Sequence, residues 1–160
     1  MAHKVFVSYH HANDQERADY LRDAYGSDNT FLDRSLKEEY LTTNNEELLR
    51  LIRQNHLKQS TVTIVLIGSE TANRKWVDWE ISSSLRPYGD RTRNGLLAIY
   101  LPTAGKVPAR LQDNIDSGYA VTMHWRDIST KLEEKINQAF KNRDKVHLIR
   151  NSRPLRERNS

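Results

Sequence analysis

Residues 60–69, STVTIVLIGS, run for ten positions without a charge and hold several β-branched side chains. That is far short of the roughly 20 apolar residues a membrane span requires, and the composition suits a strand buried on both faces. Such a strand belongs in the middle of a sheet, with neighbours on both edges and helices above and below. The remaining sequence supplies both.

KVFVSY (4–9) reads as a first strand, followed from Asn13 by a helix in which Glu16 closes a capping box and Ala18, Leu21, Ala24 and Tyr25 share one side. TFLD (30–33) reads as a short second strand. Thr43, with Glu46 three residues on, marks the start of a helix that turns Leu48, Leu49, Ile52 and Leu57 inward. After the central strand come a helix over 74–86, a strand GLLAIYL (95–101), a short piece ARLQDNI and a strand YAVTMHW (119–125). A last helix spans 129–142, with Leu132, Ile136, Ala139 and Phe140 on one stripe. Five βα units of this kind predict an α/β fold, a three-layer flavodoxin-like sandwich around a five-stranded parallel sheet of order 2-1-3-4-5.

A chain of 160 residues is long enough for one such core and too short for two. The expected division is a folded domain over 1–143 and a basic tail over 144–160. Residues 143–160 hold six of the 25 basic and two of the 21 acidic residues, leaving 19 of each sign in the preceding 142. The net charge of +4 therefore resides in this segment, which has few large apolar residues and reads as solvated, with Val146, Leu148 and Ile149 able to dock as one more short strand. Four arginines between 150 and 158 lack interleaved aromatics, so nucleic acid ranks low as a partner. Zero cysteines exclude disulfides, a thiol nucleophile and a cysteine zinc site; with no cleavable signal pattern at the start, a cytoplasmic location is expected.

In an open parallel sheet, ligands bind at the carboxyl ends of the strands. The loops to read are therefore SYHHAND, DRSL, GSETANRKW and HWRD. They lack the clustered acids of a phospho-receiver and the glycine-rich phosphate cradles GxxxxGK and GxGxxG. His10, His11 and His124 are read as partnered or surface histidines, not as metal ligands, and no metal is expected.

The helix after the central strand places Val77, Ile81, Ser84 and Leu85 on a core stripe, and Trp76, Glu80 and Ser83 on its flank. Trp76 and Glu80 stand i and i+4, so their side chains meet. A carboxylate beside an indole at the rim of a buried stripe is partly desolvated, which raises its pKa and suits it to acid–base work or to holding a sugar hydroxyl. The same spacing also fits a surface glutamate packed on a tryptophan, and the pattern alone leaves both open.

In order along the chain, KVFVSYHHAND, FLDRS, IVLIGSET and the W-x-x-x-E of Trp76 and Glu80 resemble the TIR domain, more specifically the TIR-like family of Thoeris anti-phage sensors. The resemblance covers residues 4–142. It implies an enzyme that consumes NAD as substrate, with no cofactor, cleaving the nicotinamide–ribose bond. It further implies a cyclic or modified ADP-ribose product that activates a separate effector, a phage-derived trigger and a homo-oligomer. Glu80 matches the family's catalytic glutamate. It would stabilise the oxocarbenium-like ribose, with Trp76 as an aromatic wall that attracts the nicotinamide cation and excludes water. The substrate-binding candidates are Ser8, Tyr9, His10, His11, Asp33, Ser69, Trp76 and Ser83, the two histidines toward phosphate. Val77 replaces a cysteine common in TIR domains, and DRSLKEEYLTT lacks their Pro-Gly pair, which weighs against self-association through that loop. Two other classes stay open: a non-catalytic TIR-like interaction module, and a nucleoside or nucleotide glycosyl transferase in which Glu80 is a covalent nucleophile.

Overall fold

A computed structural model describes residues 3–26, 29–32, 44–87 and 92–159. Five parallel strands, β1 (Lys4–Ser8), β2 (Thr30–Leu32), β3 (Val62–Ile67), β4 (Gly95–Tyr100) and β5 (Val121–His124), form one sheet in the order β2-β1-β3-β4-β5. The expected order is therefore the one found. Every residue of β3 is buried, as an uncharged β-branched strand at the sheet centre requires.

The helices are α1 (His11–Tyr25), α2 (Asn45–Ile52), α3 (Lys75–Ser84), α4 (Ala109–Ser117) and α5 (Ile128–Lys141); α2 runs on into a wider turn over Arg53–Leu57. Side chains of β1 alternate between the two faces, as the strand's period of two dictates. Val5, Val7 and Tyr9 enter a core with Ala18 and Leu21 of α1 and Ile136 of α5. Phe6 packs on the other face with Leu48, Ile52, Leu57, Trp76 and Trp79. A third cluster joins Val77 and Ile81 of α3 to Val65, Ile67 and Leu111. Gly95 lets α5 come close to the sheet: a Cβ there would lie 1.9 Å from the carbonyl oxygen of Ala139. Gly118 takes φ +89°, the left-handed conformation that ends α4.

Three local expectations are corrected. Helix α1 starts two residues before Asn13, because the N–H groups of Asn13 and Asp14 both donate to the His10 carbonyl. Asn13 caps nothing there; its amide donates to Glu70 Oε2 at 3.1 Å. The buried stripe of α1 is Asp14, Ala18 and Leu21, while Ala24 is exposed. Helix α2 is capped by Asn44, whose side chain accepts from the N–H groups of Glu46 and Glu47; the expected cap, Thr43, lies outside the described residues.

The segment read as a solvated tail instead lies across α4 and α3. Leu148 and Ile149 pack on the Val77–Leu111 cluster and Leu155 on the Phe6 cluster, and residues 146–148 form a single 3₁₀ turn where a further strand was the alternative. Asn114, fully buried, accepts from the Arg150 N–H at 2.9 Å and donates to the Arg150 carbonyl at 2.8 Å. Its arginines are engaged locally as well: Arg153 forks onto Asp113, and Arg150 donates to the carbonyls of His147 and Ile149. Among the described residues no helix is long and apolar enough to cross a membrane.

Candidate active site

The carboxyl end of β1 and the inner side of α3 meet through a buried hydrogen bond. Ser8 ends β1 on the same face as Phe6, which turns its hydroxyl toward α3. Ser8 Oγ donates to Glu80 Oε1 at 2.6 Å, and both residues are wholly buried. Trp76, one turn before Glu80, is half-buried between two core clusters, and its indole N–H has no acceptor among the described residues.

Glu80 thus lies deeper than the rim position its spacing implied. The reason is that α3 is covered nearly all round. Val77, Asp78 and every residue from Glu80 to Ser84 are buried, because α2, α4 and residues 150–159 close over faces that the sequence pattern leaves open. Both helix ends are also held by distant residues. At the last turn Arg53, itself buried, donates to the carbonyls of Ser83, Ser84 and Arg86, so a cation faces the negative end of the helix.

The β1–α1 and β3–α3 loops follow the carboxyl ends of the two strands nearest this pair. His10 is buried, with no partner for Nδ1 among the described residues; burial first, and the Arg74 charge second, push its pKa below the usual histidine value, so it is neutral at pH 7. A neutral ring is a poor phosphate cation. Asp14 is buried against Gly68, close enough that a Cβ on that glycine would meet its carboxylate at 2.4 Å, and burial raises its pKa. Arg74 lies 5.6 Å from the centre of the Trp76 ring, within cation–π range, so a cationic nicotinamide on that ring face would meet a like charge.

The other expected site residues divide. Tyr9 is buried in the β1–α1–α5 core and stacks against His11 at 4.5 Å, and His11 Nδ1 pairs with Gln15 Oε1 at 3.3 Å. Ser69 is exposed beside Gly105. Ser83 donates to the Leu49 carbonyl at 2.9 Å and lines a cavity of about 290 Å³ between α2 and α3, which neither Trp76 nor Glu80 lines. His124 is exposed beside Tyr100, and among the described residues no three acidic or histidine side chains converge to hold a metal. Asp33 and the loop after it lie outside the described residues.

Sequence reasoning missed Asp14, Arg53 and Arg74. Asp14 falls four positions before Ala18 and seven before Leu21, so extending the apolar stripe of α1 by one turn would have marked it as buried. Arg74 follows the central strand within the loop GSETANR, where strand-end sites concentrate. Nothing in the sequence around Arg53 signals its role.

The family model of the Thoeris protein ThsB, TIR-like domain, matches residues 6–106, a span that runs from β1 past β4 and includes Ser8, Trp76 and Glu80. A protein of Bacillus cereus (strain MSX-D12) named "Putative cyclic ADP-D-ribose synthase ThsB1" is 37% identical over 91 residues. The match takes in 53% of this chain and 47% of that relative, so the chain spans about half the length of the curated relative it matches. A solved structure of TIR domains, from the activated Roq1 resistosome recognizing the pathogen effector XopQ, aligns over 92% of this chain and 85% of its own at 12% identity. The TM-score of that alignment is 0.41. With its five-stranded parallel sheet in the order 2-1-3-4-5 and a family match over most of its length, the chain belongs to the TIR-like domain family of the Thoeris protein ThsB.

Proposed function

We propose that the protein cleaves the nicotinamide–ribose bond of NAD and turns the ADP-ribose part into a cyclic or otherwise modified nucleotide signal. The observation that carries this reading is the buried Ser8–Glu80 contact at the carboxyl end of the sheet, with Trp76 one turn away. When the C1′–N bond breaks, its electron pair leaves with nicotinamide and the ribose gains oxocarbenium character. A carboxylate held in a low-dielectric site stabilises that charge more than it stabilises the substrate. An atom of the same nucleotide then closes on C1′, and the half-buried indole of Trp76 keeps water from that position.

Glu80 is fully buried, so a ribose reaches it only by taking over the donor role of the Ser8 hydroxyl. A ribose hydroxyl is the chemical match for that exchange, since it offers the same O–H to Oε1. Arg74, beside Trp76, supplies the charge for the diphosphate that neutral His10 does not. The nucleotide product acts on a separate effector, and a phage-derived trigger starts its synthesis; the family assignment to Thoeris and the name of the B. cereus relative support this setting. The full burial of Glu80 favours a second reading, an interaction module in which the Ser8–Glu80 pair only fixes α3 to the sheet.

The test is to incubate purified protein with NAD, with and without lysate of phage-infected cells, and to identify nucleotide products by mass. Wild type consumes NAD and Glu80→Gln does not. Wild-type turnover in Glu80→Gln overturns the enzymatic assignment. Absence of both binding and turnover, together with a stable protein complex, establishes the second reading.

A further inference from the structure

Helix α3 carries Trp76 and Glu80, yet its own sequence does not close its first turn. Arg74 occupies the N-cap in an extended conformation, φ −92° and ψ 118°, and its side chain makes no capping bond. The N–H of Lys75 donates to Asn159 Oδ1 at 2.8 Å, across 84 residues of sequence. The side chain that satisfies the first N–H of α3 therefore comes from a segment distant in the chain, using the acceptor chemistry of an ordinary Asn cap.

Asn159 does not act alone. The Trp79 indole N–H donates to the Arg156 carbonyl at 2.8 Å, and the Arg156 N–H donates to Asp78 Oδ2 at 2.9 Å. Leu155 packs in the cluster that includes Trp76 and Trp79. Asn151 exchanges bonds with Ser82, accepting from its hydroxyl at 3.1 Å and donating to its carbonyl at 3.2 Å. These contacts touch α3 at positions 75, 78, 79 and 82, which follow one outer face of the helix from first turn to last.

We propose that residues 150–159 are a strap that positions the Trp76–Glu80 helix, with Asn159 as an N-cap supplied from elsewhere in the chain. Asn159 is a positioning residue: it acts on Trp76 and Glu80 through the first turn of α3. The catalytic half of the inference rests on the function proposed above, whereas the structural half does not.

The test uses the full chain with Asn159→Ala, which removes the acceptor, and Asn159→Asp, which keeps it. Hydrogen exchange reports the α3 amides, and the three indole N–H resonances report Trp76, Trp79 and Trp125. Trp125 is an internal control, since it lies against Arg17 and Tyr20, away from the strap. In Asn159→Ala the first-turn amides of α3 exchange about fivefold faster, the value of a lost cap. The Trp76 and Trp79 resonances move, Trp125 stays, and kcat for NAD falls at unchanged KM; Asn159→Asp restores all of these. Unchanged exchange and unchanged Trp76 and Trp79 resonances in Asn159→Ala overturn the strap, whatever NAD does. Faster exchange with unaltered kcat overturns the positioning role. If wild type proves inert toward NAD, the enzymatic reading fails, and a shifted Trp76 resonance still upholds the strap.

Discussion

Replacing Asp78 with alanine measures how much of the fold depends on one buried ion pair. Arg110 Nε and Nη2 donate to the two oxygens of Asp78 at 2.8 and 3.2 Å, with the side chains only 1% and 8% exposed. Asp78→Ala removes both bonds and the acceptor for the Arg156 N–H. Among the described residues Arg110 then keeps hydrogen bonds to Asn151 Oδ1 at 2.8 Å and the Pro154 carbonyl at 3.1 Å, but none to a carboxylate. A buried guanidinium stripped of its counter-charge costs about 3–5 kcal/mol. At about 2–4 °C per kcal/mol for a domain of this size, thermal unfolding followed by circular dichroism drops by about 6–20 °C. Most of that cost is the orphaned charge, so adding Arg110→Met to Asp78→Ala should recover about 2 kcal/mol or more in urea unfolding at unchanged slope. A fall below about 3 °C for the single variant, or strict additivity in the cycle, refutes this reasoning. The exposed Arg153–Asp113 fork is the contrast, and Arg153→Ala leaves the midpoint where it was.

Asp14 gives a pH-dependent prediction. Burial raises its pKa in the folded state, so the fold binds that proton more readily than the unfolded chain and is penalised once pH rises above the carboxylate range. Asp14→Asn should stabilise by about 1 kcal/mol at pH 8 and by almost nothing at pH 4, read from urea midpoints; an equal gain at both values sinks the argument. Gly95→Ala sets a Cβ 1.9 Å from the Ala139 carbonyl oxygen, a backbone atom that cannot rotate away. A loss of about 2 kcal/mol or more is expected, and an unchanged urea midpoint would show that α5 stands further from the sheet.

The topology was legible because two periods alternate cleanly along the chain. Stretches such as VTIVLI and GLLAIY have no charge and many β-branched or aliphatic residues, while α2 and α5 show apolar residues at helical spacing. Five such alternations leave few topologies once crossovers must be right-handed. Boundaries were less legible where a backbone bond decided them. Asn13 has the composition of an N-cap, but the His10 carbonyl already accepts from Asn13 and Asp14, and the Asn13 side chain is drawn to Glu70 across the loop.

For the candidate site, the sequence singled out residues without their contacts. Ser8 and Glu80 were each singled out, but their hydrogen bond depends on which face of β1 lies under which side of α3, a fact of packing. The depth of Glu80 was misjudged for the same reason that residues 150–159 were misread as solvated. Composition counts a segment's own apolar residues, and this one has few. What holds it are hydrogen bonds to polar groups elsewhere: the buried Arg110, Asn114 and Asp78, the Trp79 indole and the first turn of α3. Each such hydrogen bond contributes about 0.5–1.5 kcal/mol, so several together offset the apolar deficit of a short polar stretch of chain. Of the arginines that made this segment look like a solvated basic tail, Arg153 forks onto Asp113 of α4 and Arg156 gives its backbone N–H to Asp78 of α3, and the charge count could not show that the segment lies against the helix of Glu80.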